Sequence, residues 1–142
     1  MKRLIINADD FGLAPGVNRA IVELEQAGAL SSATLMATAP YFSPAVYMAF
    51  AQPRLAVGCH VILVDGSPCL RPSEVPSLLD PLAPGSFRLT VGSFLGDLVR
   101  GRIREQEIEA EAIAQIRRIQ SSGLTVSHID SHKHVHAFPR VL

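Results

Sequence analysis

The stretch from Leu55 to Val64 is apolar throughout except at Gly58 and His60, and it does not alternate apolar with polar residues. A strand with one wet face alternates at every second position. A strand covered on both faces has no need to, and that double cover is the mark of parallel sheets flanked by helices. This segment therefore commits the chain to an alternation of strands and helices. It also isolates His60, an imidazole in the middle of the most apolar part of the sequence.

The neighbouring segments agree. Arg3 to Asn7 reads as a short buried strand, after which Gly12 and Pro15-Gly16 turn the chain into a helix over Val17 to Gln26 that Gly28 stops. Ala33 to Thr38 reads as a second strand. Pro40, Ser43 and Pro44 suit the start of a helix over Ala45 to Ala51, which Pro53 ends. Leu55 to Val64 is then the third strand. Five prolines fall between Asp65 and Ser86, beside Gly66 and Gly85, and predict a long ordered loop or lid. Glu105 to Gln120 is the clearest helix, with Ile108, Ala112, Ile116 and Ile119 forming an apolar stripe and Gly123 closing it. Val126 to Asp130 gives a fourth strand, and Pro139 suits the first residue of another helix. The pattern predicts a single α/β domain over residues 1–142 built on a parallel sheet.

Composition narrows the partners. Lysine plus arginine balances aspartate plus glutamate at 13 each. The basic clusters are limited to Arg100-Gly101-Arg102-Ile103-Arg104 and Arg117-Arg118, so nucleic acid is not an expected partner. The apolar fraction is 48%, yet no uninterrupted apolar run approaches the ~18 residues of a membrane span. Met1-Lys2-Arg3 begins like an export signal, but the apolar run after it lasts only from Leu4 to Ile6. Cys59 and Cys69 lack the spacing of a metal or redox pair. The expectation is a soluble cytoplasmic protein with both thiols reduced.

In parallel sheets, reactive groups gather at the carboxyl ends of the strands, where loops vary freely on a rigid support. Asp9 and Asp10 follow the first predicted strand, His60 lies in the third, and Asp130 and His132 follow the fourth. His134 and His136 come next in the run Asp130-Ser131-His132-Lys133-His134-Val135-His136. Adjacent carboxylates repel, and such a pair is usually tolerated when a cation or a proton is shared. One aspartate with two histidines leaves about half of a divalent cation's coordination sphere open, as a catalytic site requires. The second aspartate can then serve as base. Ser131 lacks the glycine elbow of a serine hydrolase, and Gly12 to Gly16 lacks the lysine and spacing of a phosphate loop. Asn18 reads as part of the polar face of the first helix, close enough to buttress the Asp9-Asp10 turn.

The three motifs Asn7-Ala8-Asp9-Asp10-Phe11-Gly12, Gly58-Cys59-His60-Val61-Ile62-Leu63 and Asp130-Ser131-His132-Lys133-His134-Val135-His136 together resemble the YdjC-like deacetylases, the ChbG/HpnK group. The resemblance implies a distorted parallel (β/α) barrel of the NodB-like deacetylase type, and metal-dependent removal of acetyl from an N-acetylated amino sugar. By motif, Asp10, His60 and His132 would be the metal ligands and Asp9 the general base. His134, His136 and Asp130 would be candidates for substrate binding or for the acid. The family implies Mg2+, while two imidazoles favour Zn2+ on softness grounds. The stretch His60 to Pro68 and Lys133 resemble the hopanoid-biosynthesis-associated HpnK branch, implying an N-acetylglucosaminyl hopanoid; a chitooligosaccharide is the other substrate of the group.

Family members run well beyond the histidine motif, so the chain is expected to hold the N-terminal half to two-thirds of the barrel. The exposed parallel edge and apolar surface of a partial barrel favour aggregation or pairing with a second copy, so that a homo-oligomer is one expected outcome. Two rival readings share these residues: a metal-dependent phosphoesterase and a non-catalytic carbohydrate-binding or assembly subunit.

Overall fold

The computed structural model describes residues 4–141; Arg3, where the sequence places the start of the first strand, and Leu142 lie outside the described residues. In chain order the elements are β1 (Asn7–Phe11), α1 (Pro15–Gln26), β2 (Ser32–Leu35), α2 (Phe42–Phe50), β3 (Ala56–Val61), β4 (Leu79–Asp80), β5 (Ala83–Phe87), α3 (Val91–Val99), α4 (Glu105–Ser121) and β6 (Ile129–Ser131). A tight 3-10 segment, His132–Ala137, follows β6 directly. Four parallel strands make one sheet in the order β1-β2-β3-β6, and β4 with β5 forms a separate antiparallel hairpin. The α/β class with a parallel sheet is thus as the sequence predicts, and among the described residues the sheet is open at β1 and at β6.

The first strand lies further along than its apolar residues suggest. Leu4, Ile5 and Ile6 are 82%, 77% and 47% exposed, and pairing with β2 begins with Asn7 opposite Ser32. Register decides this: the Ile6 carbonyl accepts from Ser31 and Ser32, which fixes β1 to the start of β2. Asp9 and Asp10 consequently belong to the strand instead of following it. The second strand ends at Leu35, although Met36 and Ala37 stay buried as the chain leaves the sheet. Pro139 does not open a helix, since residues 139–141 form a turn.

The proline-rich segment is more structured than a loop. It contains the β4–β5 hairpin, and α3 follows it, capped by the Thr90 hydroxyl accepting from the Ser93 amide at 3.1 Å. Gly92 and Gly96 lower the helix propensity of α3 and hide it from a pattern reading; Phe94 and Leu98, one turn apart and buried, hold it to the core.

What fastens this segment is a polar ladder on α4. Glu107, Glu111 and Gln115 recur every fourth residue and are all buried. Gln115 both accepts from the Ile62 amide at 2.9 Å and donates to the Ile62 carbonyl at 2.7 Å, taking the place of a neighbouring strand just beyond β3. Glu111 accepts from the amides of Cys69 and Leu70 and from Gln115 Nε2, and Glu107 accepts from the amide and hydroxyl of Ser77. Of the predicted stripe, Ile108 and Ile119 are buried, while Ala112 and Ile116 pack on the margin of the core. Arg88 closes the segment with two bonds to Asp97, Nε at 2.9 Å and Nη2 at 2.8 Å, and a third from Nη1 to the Ser77 carbonyl. Cys59, buried in β3, and Cys69 are free thiols. Burial, with Asp130 and Cys69 nearby, pushes the Cys59 thiol up to about 12.

Replacing Gln115 by alanine strips Ile62 of both partners. The expected loss is about 3 kcal/mol, the cost of leaving two buried backbone groups unsatisfied, read as a lower midpoint of urea unfolding with an unchanged slope.

The Arg88 guanidinium holds the Asp97 carboxyl below the usual carboxylate range, its bonds and those of Arg102 outweighing the effect of burial. Because the folded value lies below the unfolded one of about 3.9, this pairing stabilises fully above roughly pH 5 and fades as pH falls through the folded value. The stability difference between wild type and Asp97→Asn should therefore be constant near neutrality and shrink in acid, as measured by denaturation across pH.

Candidate metal centre

Side chains alternate faces along a strand, so two neighbouring aspartates should point to opposite sides. In β1 they do not. The register with β2 shifts between Ala8 and Phe11, and Asp10 adopts φ = 62°. That left-handed residue in a bulge turns both carboxylates toward one imidazole: Asp10 groups with His60 and His132, and Asp9 with His60 and Asp130, with the donor atoms of each group within 4.8 Å of one another. Asn18, buried on α1, supports the turn by accepting from the Gly12 amide at 2.7 Å.

His60 is 2% exposed and both ring nitrogens are engaged. Its partner in β6 is Asp130, in direct register and thus on the same face. Asp130 Oδ1 lies 2.6 Å from His60 Nδ1, and the Thr34 hydroxyl donates to Asp130 Oδ2 at 3.0 Å. Burial alone would raise the Asp130 carboxyl, but His60, Thr34 and His128 together bring it below the usual range. A charged Asp130 accepts a hydrogen bond from His60 Nδ1–H, which leaves the Nε2 lone pair facing Asp10 Oδ1, 3.3 Å away.

His132 enters from the start of the 3-10 segment, with Nδ1 3.2 Å from the same Asp10 oxygen. The two rings meet edge to face, with centroids 5.5 Å apart and planes at 74°. Burial lowers the His132 imidazole below the usual histidine range, with His60 and Lys133 adding to the effect and Asp10 opposing it. Lys133 and His134 follow with φ = 55° and 54°, a sharp left-handed turn that fixes the exit from His132. Lys133 Nζ reaches Asp65 at 2.7 Å, tying that turn to the loop after β3.

The structure thus brings together Asp9, Asp10, His60, Asp130 and His132. It leaves His134 exposed and fastens His136 to Ser131, Nδ1 to Oγ at 2.7 Å. Ser131 pairs with Val61, on the opposite face of the sheet from His60 and Asp130. His136 lines a groove of about 290 Å3 along β6 with Val61, Ile108, Asp130 and Val141.

Three participants escape a reading of the sequence alone. Asn7 and Thr34 contribute hydrogen bonds to the carboxylates. His128 reaches across the sheet to Asn7 Oδ1, Nε2 at 3.1 Å. The available signal was periodicity: Asn7 lies two residues before Asp9, and His128 two before Asp130. Gly58 makes room for the His128 ring, since a Cβ there would lie 2.7 Å from the imidazole and 2.8 Å from the His128 carbonyl oxygen.

The fold and site define a class: a parallel α/β scaffold that presents an Asp-His-His set and a second carboxylate at one end of its sheet. The family model described as YdjC-like protein matches residues 3–142, and the chain belongs to that family. A Brevibacillus brevis protein named carbohydrate deacetylase is 44% identical over 140 residues, covering 99% of this chain and 52% of its own length. A Halalkalibacterium halodurans protein of the same name is 39% identical, covering 99% of this chain and 56% of its own. The crystal structure of an Enterococcus faecalis protein described as a cellobiose-phosphate cleavage protein superposes with a TM-score of 0.80 at 37% identity, covering 93% of this chain and 49% of its own. The chain spans about half the length of these relatives.

Gly58→Ala forces the Cβ against backbone as well as ring. It should lower stability by about 2 kcal/mol, in the range of core overpacking, visible as a reduced thermal midpoint.

Proposed function

We propose that this chain carries the metal-binding half of a carbohydrate deacetylase, a hydrolase that removes the N-acetyl group from an N-acetylated amino sugar. The observation that carries this reading is the meeting of His60 Nε2, His132 Nδ1 and Asp10 Oδ1 around one point. His60 offers a lone pair to a carboxylate oxygen there, an arrangement satisfied by a cation. The donor set therefore fits a divalent ion, Mg2+ by family resemblance or Zn2+ by its two imidazoles. Such an ion, held by Asp10, His60 and His132, supplies a Lewis acid for the acetamide oxygen and acidifies water.

The chain's own residues do the rest. Asp9, steadied by Asn7 Nδ2 at 2.9 Å, takes the proton of the attacking water and returns it to the leaving amine. Asp130 fixes the tautomer of His60, and Thr34 fixes Asp130. His134 and His136 are not given the role of acid, because neither is brought to the centre.

The names of the relatives support the sugar and the reaction. The finer reading of the substrate is an N-acetylglucosaminyl hopanoid or a chitooligosaccharide, the former resting on the His60 to Pro68 stretch and Lys133, and the latter on the wider family. We place this activity in the cytoplasm; among the described residues no helix is long and apolar enough to cross a membrane. The completed scaffold is a NodB-like barrel, of which this sheet forms one part. A phosphoesterase is less well served, since the cation beside His132, Lys133, is already paired with Asp65.

Purified protein incubated with N-acetylglucosamine oligomers should release free acetate, and a chelator should stop it. Asp9→Asn should abolish release while metal content, by elemental analysis, stays unchanged. Release indifferent to chelator would overturn the metal reading, and loss of metal from Asp9→Asn would reverse the roles of the two aspartates.

A further inference from the structure

The carboxylates of Asp9 and Asp130 and the Nδ1 side of His60 form a second gathering of metal-competent atoms beside the first. Two carboxylates so close disfavour each other's charge unless a positive group or a hydrogen-bond donor faces them both. Asn7 occupies the space between them. Its Nδ2 lies 2.9 Å from Asp9 Oδ1, 3.3 Å from Thr34 Oγ1 and 3.5 Å from Asp130 Oδ2. All three act toward it as acceptors, because the Thr34 hydroxyl spends its own proton on Asp130.

The amide is locked in that sense. Its Oδ1 faces His128 Nε2 at 3.1 Å, and on the other side of that ring Ser127 Oγ, whose own proton goes to the Val57 carbonyl, lies 2.8 Å from Nδ1. Reversing the amide would set its carbonyl oxygen against two carboxylates. Gly58 in turn lets the His128 ring sit close enough to reach Asn7.

We propose that Asn7, whose Nδ2 faces both carboxylates, acts as a fixed substitute for a second cation and thereby makes this centre mononuclear. The inference rests on the single-metal reading above and deepens it. The amide offers two donors with no net charge, so Asp9 keeps the full charge of a base and Asp130 remains free to hold His60 Nδ1. A metal ion in its place would compete for the same oxygens and blunt Asp9. Asn7 is in this sense a positioning residue that selects how many ions the site takes.

Metal stoichiometry tests this without any turnover. The whole chain, as wild type, Asn7→Asp and Asn7→Ser, is titrated with Mn2+, which accepts both oxygen and imidazole donors. Binding is followed by calorimetry and electron paramagnetic resonance, with far-ultraviolet circular dichroism to confirm folding. Wild type should bind one ion per chain and give the spectrum of an isolated centre. Asn7→Asp, with a third carboxylate in place of the donor, should bind a second ion and show spin coupling. Asn7→Ser should take a second ion more weakly, and it serves as the reading if Asn7→Asp does not fold. Two ions on wild type, or a single ion on the folded variants, would overturn the proposal while leaving the metal centre standing. No ion on wild type would instead defeat the metal reading and this inference with it.

Discussion

A buried imidazole with a carboxylate at each end is the contact on which this structure turns. His60 lies between Asp130 on one side and Asp10 on the other, almost out of reach of water. A polar ring in that position is tolerated only with both nitrogens satisfied. The partners come from strands at the two edges of the sheet, so one side chain ties together β1, β3 and β6. Satisfying Nδ1 through Asp130 also directs the other nitrogen toward Asp10, and the demand for a partner inside the fold places His60 in the cluster with Asp10 and His132.

Holding β3 in place falls to a different set of polar groups. The ladder of Glu107, Glu111 and Gln115 accepts or supplies hydrogen bonds for the chain between Ile62 and Ser77, where no neighbouring strand does so. Buried carboxylates are costly unless their oxygens are filled, and here backbone amides fill them. The segment after β3 is thereby packed on α4, and Asp65 within it meets Lys133, the neighbour of His132. A helix far from the centre in sequence thus steadies one wall of it.

Much of this was legible in the residues. The unbroken apolar run around His60 identified a parallel strand, and the acid pair and histidine run identified where chemistry gathers. Less was visible where geometry depends on neighbours. The Leu4 to Ile6 run looked like the strand, yet the register with β2 placed the strand one segment later. The α3 helix was hidden by its glycines and is held by Phe94 and Leu98. The α4 face was read from its aliphatic residues, although polar Glu111 and Gln115 are among its most buried members. A sequence pattern assumes that charged residues face water, and it fails where the backbone supplies their partners.

The sequence by itself determined the class of fold and the chain order of its main strands, because periodicity is a local property, and its resemblance to the family singled out Asp10, His60 and His132. Only the tertiary structure decided that Asp9 and Asp10 face the same way, that Asp130 serves His60, that His136 belongs to the far side of the sheet, and that Asn7 stands between two carboxylates. Those outcomes depend on a bulge in β1 and on the register of strands far apart along the chain, and register is fixed by packing and hydrogen bonding between segments, which no single segment encodes.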